Sequence, residues 1–130
     1  QRQTELLGEI STAVTAFYEA TVALGVQNDV ALFSASDFGR TFQSNGQGSD
    51  HAWGSHHFVI GGAVKGGQIV GRYPELIVNG PDDAGDGKWI PTTSVDQLGA
   101  TLGRWFGAAA SLNEVFPRLS NFDADLGFMT

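Results

Sequence analysis

The run DVALFSAS, residues 29–36, decides how the rest of the chain is read. Val30, Ala31, Leu32 and Phe33 follow one another with no polar break. So short and unbroken an apolar run suits a strand buried on both faces, as in a parallel α/β sheet. The segment before it has a different period. Between residues 4 and 25, Leu7, Ile10, Val14, Phe17 and Thr21 recur at spacings of three and four. That spacing predicts a helix, with Thr4 as its N-cap and Gly25 as its stop.

Downstream, the glycine-rich segment 39–54 reads as a long loop. HFVIGGAV (57–64) and QIVGRY (68–73) read as two strands joined by the turn KGG, with LIV (76–78) continuing the layer. NGPDDAGDG (79–87) reads as turn and loop. Ser94 followed by Gln97 is a capping box, and Val95, Leu98, Leu102 and Trp105 or Phe106 supply the apolar face of the helix it opens, which Gly107 ends. Ser111 with Glu114 predicts a second capped helix, closed by Pro117. The order helix, buried strand, loop, strands, helix gives the fold class α/β, with no repeat and no interdomain linker.

Composition narrows the function. A chain of 130 residues with 42% hydrophobic and 11% aromatic content can bury a core as a single domain. A net charge of −7 with only seven basic residues, scattered along the chain, argues against a nucleic-acid partner. No apolar run approaches the roughly 18 residues needed for a membrane span. The absence of cysteine excludes disulfides and thiolate metal sites. No P-loop, dinucleotide fingerprint or nucleophile elbow occurs.

The chemistry-bearing residues concentrate between 36 and 57, in SDFGRTFQSNGQGSDHAWGSHH. Asp37 falls just past the expected strand's carboxyl end, where ligands bind in open α/β sheets. There it can ligate a divalent cation or orient a histidine, or it can cap the turn or pair with Arg40. Asp50, His51, His56 and His57 offer nitrogen and oxygen donors of the kind that suit Zn, Mn or Fe. The spacing is not that of a helical HExxH site, and on a strand His56 and His57 would point to opposite faces. The alternative is that each histidine is exposed or hydrogen-bonded. Asp82, Asp83 and Asp86 lack the calcium-loop pattern and read as a solvated acidic loop. Lys65-Gly66-Gly67 reads as a hairpin turn in preference to an anion nest, and Trp53, Trp89 and Trp105 as core or loop anchors.

Three longer stretches carry a family resemblance: SDFGRT, NGQGSDHAWGSHHFVIGGAVKGGQIVG and GPDDAGDGKWIPTTSVDQLGATLGRWFG. Over roughly residues 4–122 the chain resembles the carboxyl-terminal part of the domain-of-unknown-function 1501 (DUF1501) family. These are bacterial, generally exported proteins that are considered similar to the alkaline phosphatase and sulfatase superfamily. The resemblance implies an alkaline-phosphatase-like sheet flanked by helices, with divalent metal (Zn, Mn, Fe or Ca) at the strand ends. It implies a small anionic phosphate or sulfate ester as substrate and a periplasmic or extracellular location.

Carried over by position, Asp37 matches the metal-binding aspartate, and Phe38 stands where a second-metal histidine is expected. His51 and then His56 become the further metal ligands, Asp50 orients His51 from behind, and Arg40 contacts the anion. No nucleophile motif is present, so residues 1–130 are expected to be either one domain or the carboxyl-terminal portion of a longer chain, inactive alone. Two functions follow from this. One is a metal-dependent ester hydrolase; the other is a non-catalytic exported protein that keeps the fold for binding or surface assembly.

Overall fold

The computed structural model describes residues 2–130. In chain order the elements are α1 (Arg2–Ala23), β1 (Leu32–Phe33), β2 (Gly39–Ser44), β3 (Ser49–Ala52), β4 (Val59–Ile60), α2 (Val95–Trp105) and α3 (Leu112–Val115). Single 3-10 turns at Ala109–Ser111 and Leu119–Asn121 flank α3. The strands form two separate two-stranded antiparallel sheets, β1 with β4 and β2 with β3. Helix and strand are mixed, as expected of an α/β chain.

The contacts divide the chain into two compact units. The first comprises the residues up to Phe33 together with Phe58–Val64. Here α1 ends where Gly25 adopts φ +72°. The Val26 N–H reaches back to the Thr21 carbonyl and the Gly25 N–H to that of Val22, both at 3.0 Å, which is a Schellman stop. β1 pairs with β4 through Leu32↔Ile60 and Phe33↔Val59. Gly61 and Gly62 permit this approach, because a Cβ on Gly61 would lie 2.6 Å from the Val30 carbonyl oxygen. The expected strand over 29–36 is thus only two residues long and antiparallel to its neighbour. One partner strand pairs so little of the run that the ladder cannot extend further.

The second unit comprises Ser34–His57 and Lys65–Thr130. The segment expected as a loop at 39–54 is instead the β2–β3 hairpin. Its register is Gly39↔Ala52, Arg40↔His51 and Ser44↔Ser49, with an irregularity between Arg40 and Ser44. Asn45–Gly48 forms the connection, in which the Asn45 side-chain oxygen accepts from the Gln47 N–H and Gly46 takes φ +90°. The strands expected at 68–73 and 76–78 do not form. Gly71 at φ +88° interrupts the first, and the Glu75 N–H beyond it is drawn to the Asp82 carboxylate.

α2 opens on the expected capping box, with both Ser94 and Gln97 bonds made. Ala100, Leu112 and Leu119 form the buried cluster, with Phe116 and Ala124 against it. Gly99 is small because the Phe116 ring lies where its Cβ would be. Val95 and Phe106, expected on the apolar face, are exposed. Thr101 is 1% exposed; its hydroxyl donates to the Gln97 carbonyl and accepts the Leu126 N–H, which fixes the tail to the helix. Ser111 does not cap α3. The preceding 3-10 turn leaves it at φ −106°, ψ 5°, away from the extended geometry that a capping hydroxyl needs.

Candidate functional site

The hairpin brings together part of what the sequence singled out. Arg40 and His51 are cross-strand partners, so their side chains share one face. Phe38, two residues before Arg40, lies on the same face. Its ring stacks on His51 with centroids 4.1 Å apart and planes 20° from parallel. The Arg40 guanidinium lies 5.3 Å from the Phe38 centroid, a cation–π distance, and its Nη1 donates to the Ser49 carbonyl at 2.8 Å. Phe38 thus has the imidazole stacked on its ring and the guanidinium within cation–π range. Phe38 is held there by Ser36, whose hydroxyl donates to the Phe38 carbonyl at 2.9 Å.

Asp50 follows the opposite logic. Neighbours on a strand point to opposite faces, so the side chain before His51 turns away from it. Asp50 Oδ1 accepts from the Asn45 amide at 2.7 Å, and its N–H donates to the Thr41 hydroxyl at 3.0 Å. No hydrogen bond joins Asp50 to His51 among the described residues. On that side Thr41, Gln43, Ser44, Asn45, Asp50 and Asp86 line a polar recess of about 270 Å³.

The remaining candidates are dispersed. Asp37 is exposed on a bend and makes no ion pair with Arg40. His56 stacks on Tyr73 with centroids 4.9 Å apart, and His57 Nδ1 lies 3.2 Å from the Ser34 hydroxyl. Among the described residues, no group of three or more His, Asp or Glu side chains is gathered so as to hold a metal ion. Asp37, His51 and His56 therefore do not make a complete donor set on their own. Lys65 is used structurally, its ammonium donating to the Gly127 carbonyl and its N–H to that of Phe128. Trp89 is buried, whereas Trp53 is exposed and anchors nothing in the core.

The acidic loop is not merely solvated; its carboxylates are bonded within the fold. The Asp82 carboxylate takes both guanidinium nitrogens of Arg72, at 2.7 and 2.8 Å, and the Glu75 N–H. Those bonds hold its carboxyl down to about 2, with Arg72 the larger cause. Asp83 accepts four backbone N–H groups, from Asn79, Gly85, Gly87 and Lys88, and these too lower its pKa. The loop is then fastened to the hairpin through the Phe42 N–H and the Gly87 carbonyl, at 2.9 Å. Sequence reading missed this organising role. Its signal was an aspartate pair followed by Gly85 and Gly87, both of which take positive φ here.

Comparison with curated proteins and with solved structures finds no match for the chain. A family model does match, over residues 1–109, and it spans the hairpin, the acidic loop and α2. Its description is a protein of unknown function, and on that match the chain belongs to the DUF1501 family.

Proposed function

We propose that these residues serve a non-catalytic role, as a binding or surface-assembly portion of an exported DUF1501 protein, periplasmic or extracellular. The observation that carries this reading is the stack of His51 on Phe38, with Asp50 bonded to Asn45 on the opposite face. The imidazole expected to bind metal lies against a phenyl ring, and the carboxylate expected to orient it is committed elsewhere. Arg40 remains available beside them as a contact for an anionic group. We read residues 1–130 as part of a longer chain.

A second reading is favoured by the Arg40↔His51 cross-strand pairing, which sets a guanidinium and an imidazole on one face of the hairpin. In that reading the longer protein is a metal-dependent phosphate or sulfate ester hydrolase. Its nucleophile and further ligands would come from outside these residues, and residues 1–130 alone would be inactive. Elemental analysis of the natively purified protein separates the two. Near-stoichiometric Zn, Mn, Fe or Ca that is lost in an Asp37→Ala, His51→Ala double variant would favour the hydrolase. Metal content unaffected by the double variant, or no bound metal after reconstitution, is the result expected of the binding role.

A further inference from the structure

Three places in the chain carry the sequence that lets a peptide nitrogen attack the side chain before it: Asn45-Gly46, Asn79-Gly80 and Asp86-Gly87. Glycine favours the attack, because it has no Cβ to obstruct the nitrogen and its backbone turns freely. The reaction is intramolecular, so its rate depends on whether the fold lets nitrogen and carbonyl carbon meet.

Two of the three places are locked. The Gly80 N–H donates to the Ile77 carbonyl at 2.8 Å, and a Cβ on Gly80 would lie 2.7 Å from that oxygen. Asn79 is itself held at φ +62°, with its N–H on the Asp83 carboxylate. Gly87 is buried; its N–H donates to Asp83 and its carbonyl accepts the Phe42 N–H. A Cβ there would lie 2.6 Å from that of Phe42. Neither nitrogen can turn toward the preceding side chain without breaking bonds that fasten the acidic loop.

Asn45-Gly46 differs on each count. It is exposed at the tip of the β2–β3 hairpin, and nothing lies within 4 Å of where a Cβ on Gly46 would be. The Gly46 N–H donates to the Ser44 hydroxyl at 3.1 Å, an exposed side chain that can turn away, where the other two glycines meet fixed partners. The Asn45 side-chain oxygen accepts the Gln47 N–H at 3.0 Å, which folds the carboxamide back over the Gly46 peptide and polarises its carbonyl carbon.

We propose that Asn45 is a site of self-modification, selected by the fold from among these three. The Gly46 nitrogen bonds to Asn45 Cγ, the Cγ–Nδ2 bond breaks, and Nδ2 leaves as ammonia with the proton lost from Gly46. Water then opens the succinimide ring at either carbonyl, leaving aspartate or isoaspartate at position 45. Either product sets a carboxylate where an amide donated to Asp50 Oδ1 at 2.7 Å, so the bond is lost and like charges meet. The polar recess that Asn45, Asp50 and Asp86 share then holds three carboxylates. Isoaspartate also adds a backbone carbon between Ser44 and Ser49, the pair that closes the hairpin. The recess and the hairpin tip thus change in charge and shape as the molecule ages, with water as the only co-reactant.

The test is peptide mapping by mass spectrometry of the folded protein aged at mildly alkaline pH, beside a sample aged in denaturant. Electron-transfer fragmentation resolves aspartate from isoaspartate. In the folded protein, conversion at Asn45 is expected to be about tenfold or more faster than at Asn79, the factor that one backbone hydrogen bond puts on a barrier. In denaturant the two are expected to convert at similar rates, since both precede glycine. An Asn45 that stays intact in the folded protein, or that converts no faster than Asn79, would overturn the proposal. So would a preference for Asn45 that persists unchanged in denaturant, because the fold would not be its source. Hydrogen exchange on Asn45→Asp reads the consequence. The amide of residue 45, which donates to the Gly48 carbonyl at 3.0 Å, is expected to exchange faster than in the parent, and equal exchange would overturn the loosening of the tip.

Discussion

Gly39 and Gly54 approach so closely that a Cβ built on Gly39 would overlap the Gly54 carbonyl oxygen. Gly39 is the first residue of β2, and the chain leaving β3 folds back over it. Backbone cannot yield here as a flexible side chain could. Gly39→Ala is therefore expected to destabilise the protein by about 3 kcal/mol. Gly48→Ala, with open space around the added methyl, is expected to stay within about 0.5 kcal/mol of the parent. Urea denaturation of the pair checks both, and equal midpoints would sink the argument.

Thr101 makes a second test of a buried contact. Its hydroxyl both gives and receives a hydrogen bond while nearly inaccessible to water. Thr101→Val keeps the shape but leaves the Leu126 N–H without an acceptor, at a cost of about 1–3 kcal/mol. Thr101→Ser keeps the oxygen and is expected to lose less. If the two variants unfold at the same denaturant concentration, the hydroxyl does not tether the tail.

The Ser94 cap is a feature that both sequence and structure assign. Its side chain accepts the Asp96 N–H while Gln97 reaches back to the Ser94 N–H. Ser94→Ala is expected to cost about 0.5–2 kcal/mol, and Ser94→Asp to recover most of it. Thermal unfolding followed by far-ultraviolet circular dichroism reads both.

What was legible in the sequence is what depends on local signals. α1 was readable because its stripe repeats every three or four residues and Gly25 can take the left-handed stop. α2 was readable because a capping box is contained within four residues. The β2–β3 hairpin was missed although Asn45-Gly46 is a turn signal, because the polar residues around it show no alternation that buries one face. The unbroken apolar run 29–36 suggests a strand buried on both faces of a parallel sheet, yet only Leu32–Phe33 is a strand, and it is antiparallel to its partner. Pairing depends on neighbours distant in sequence, and here a single two-residue partner is present. The candidate site was legible as a set of residues but not as a geometry. Nothing in the order Asp50-His51 says that the two side chains part to opposite faces until the segment is known to be a strand.

The His51–Phe38 stack gives a spectroscopic prediction. A phenyl ring 4.1 Å from the imidazole centroid shields the histidine ring protons. Phe38→Leu removes the ring current while keeping an apolar side chain, so the His51 carbon-bound proton resonances are expected to move downfield. Those of His56, which stacks on Tyr73, are expected to stay in place. A two-dimensional carbon–proton spectrum of the two proteins decides it, and an unmoved His51 would remove the observation that carries the binding role.

The Arg72–Asp82 pair sets the last expectation, which is about acid. Asp82 in the folded chain titrates near 2, against about 3.9 for an unfolded aspartate. A depressed folded value means that, between these two, the unfolded chain binds more protons than the native one. Stability therefore rises with pH across that window. The contribution is fully present above about pH 4 and is lost as pH falls toward 2. Asp83 is lowered for its own reason, its four backbone donors, and adds to the slope in the same direction. Asp82→Asn removes one of the two contributions, so its stability is expected to fall less steeply between pH 4 and 2 than that of the parent. At neutral pH the variant is expected to be the less stable protein, because Arg72 and the Glu75 N–H lose their charged acceptor. Denaturation midpoints measured at several pH values test both. Parallel curves for parent and variant would show that the fork does not hold the acidic loop to the fold.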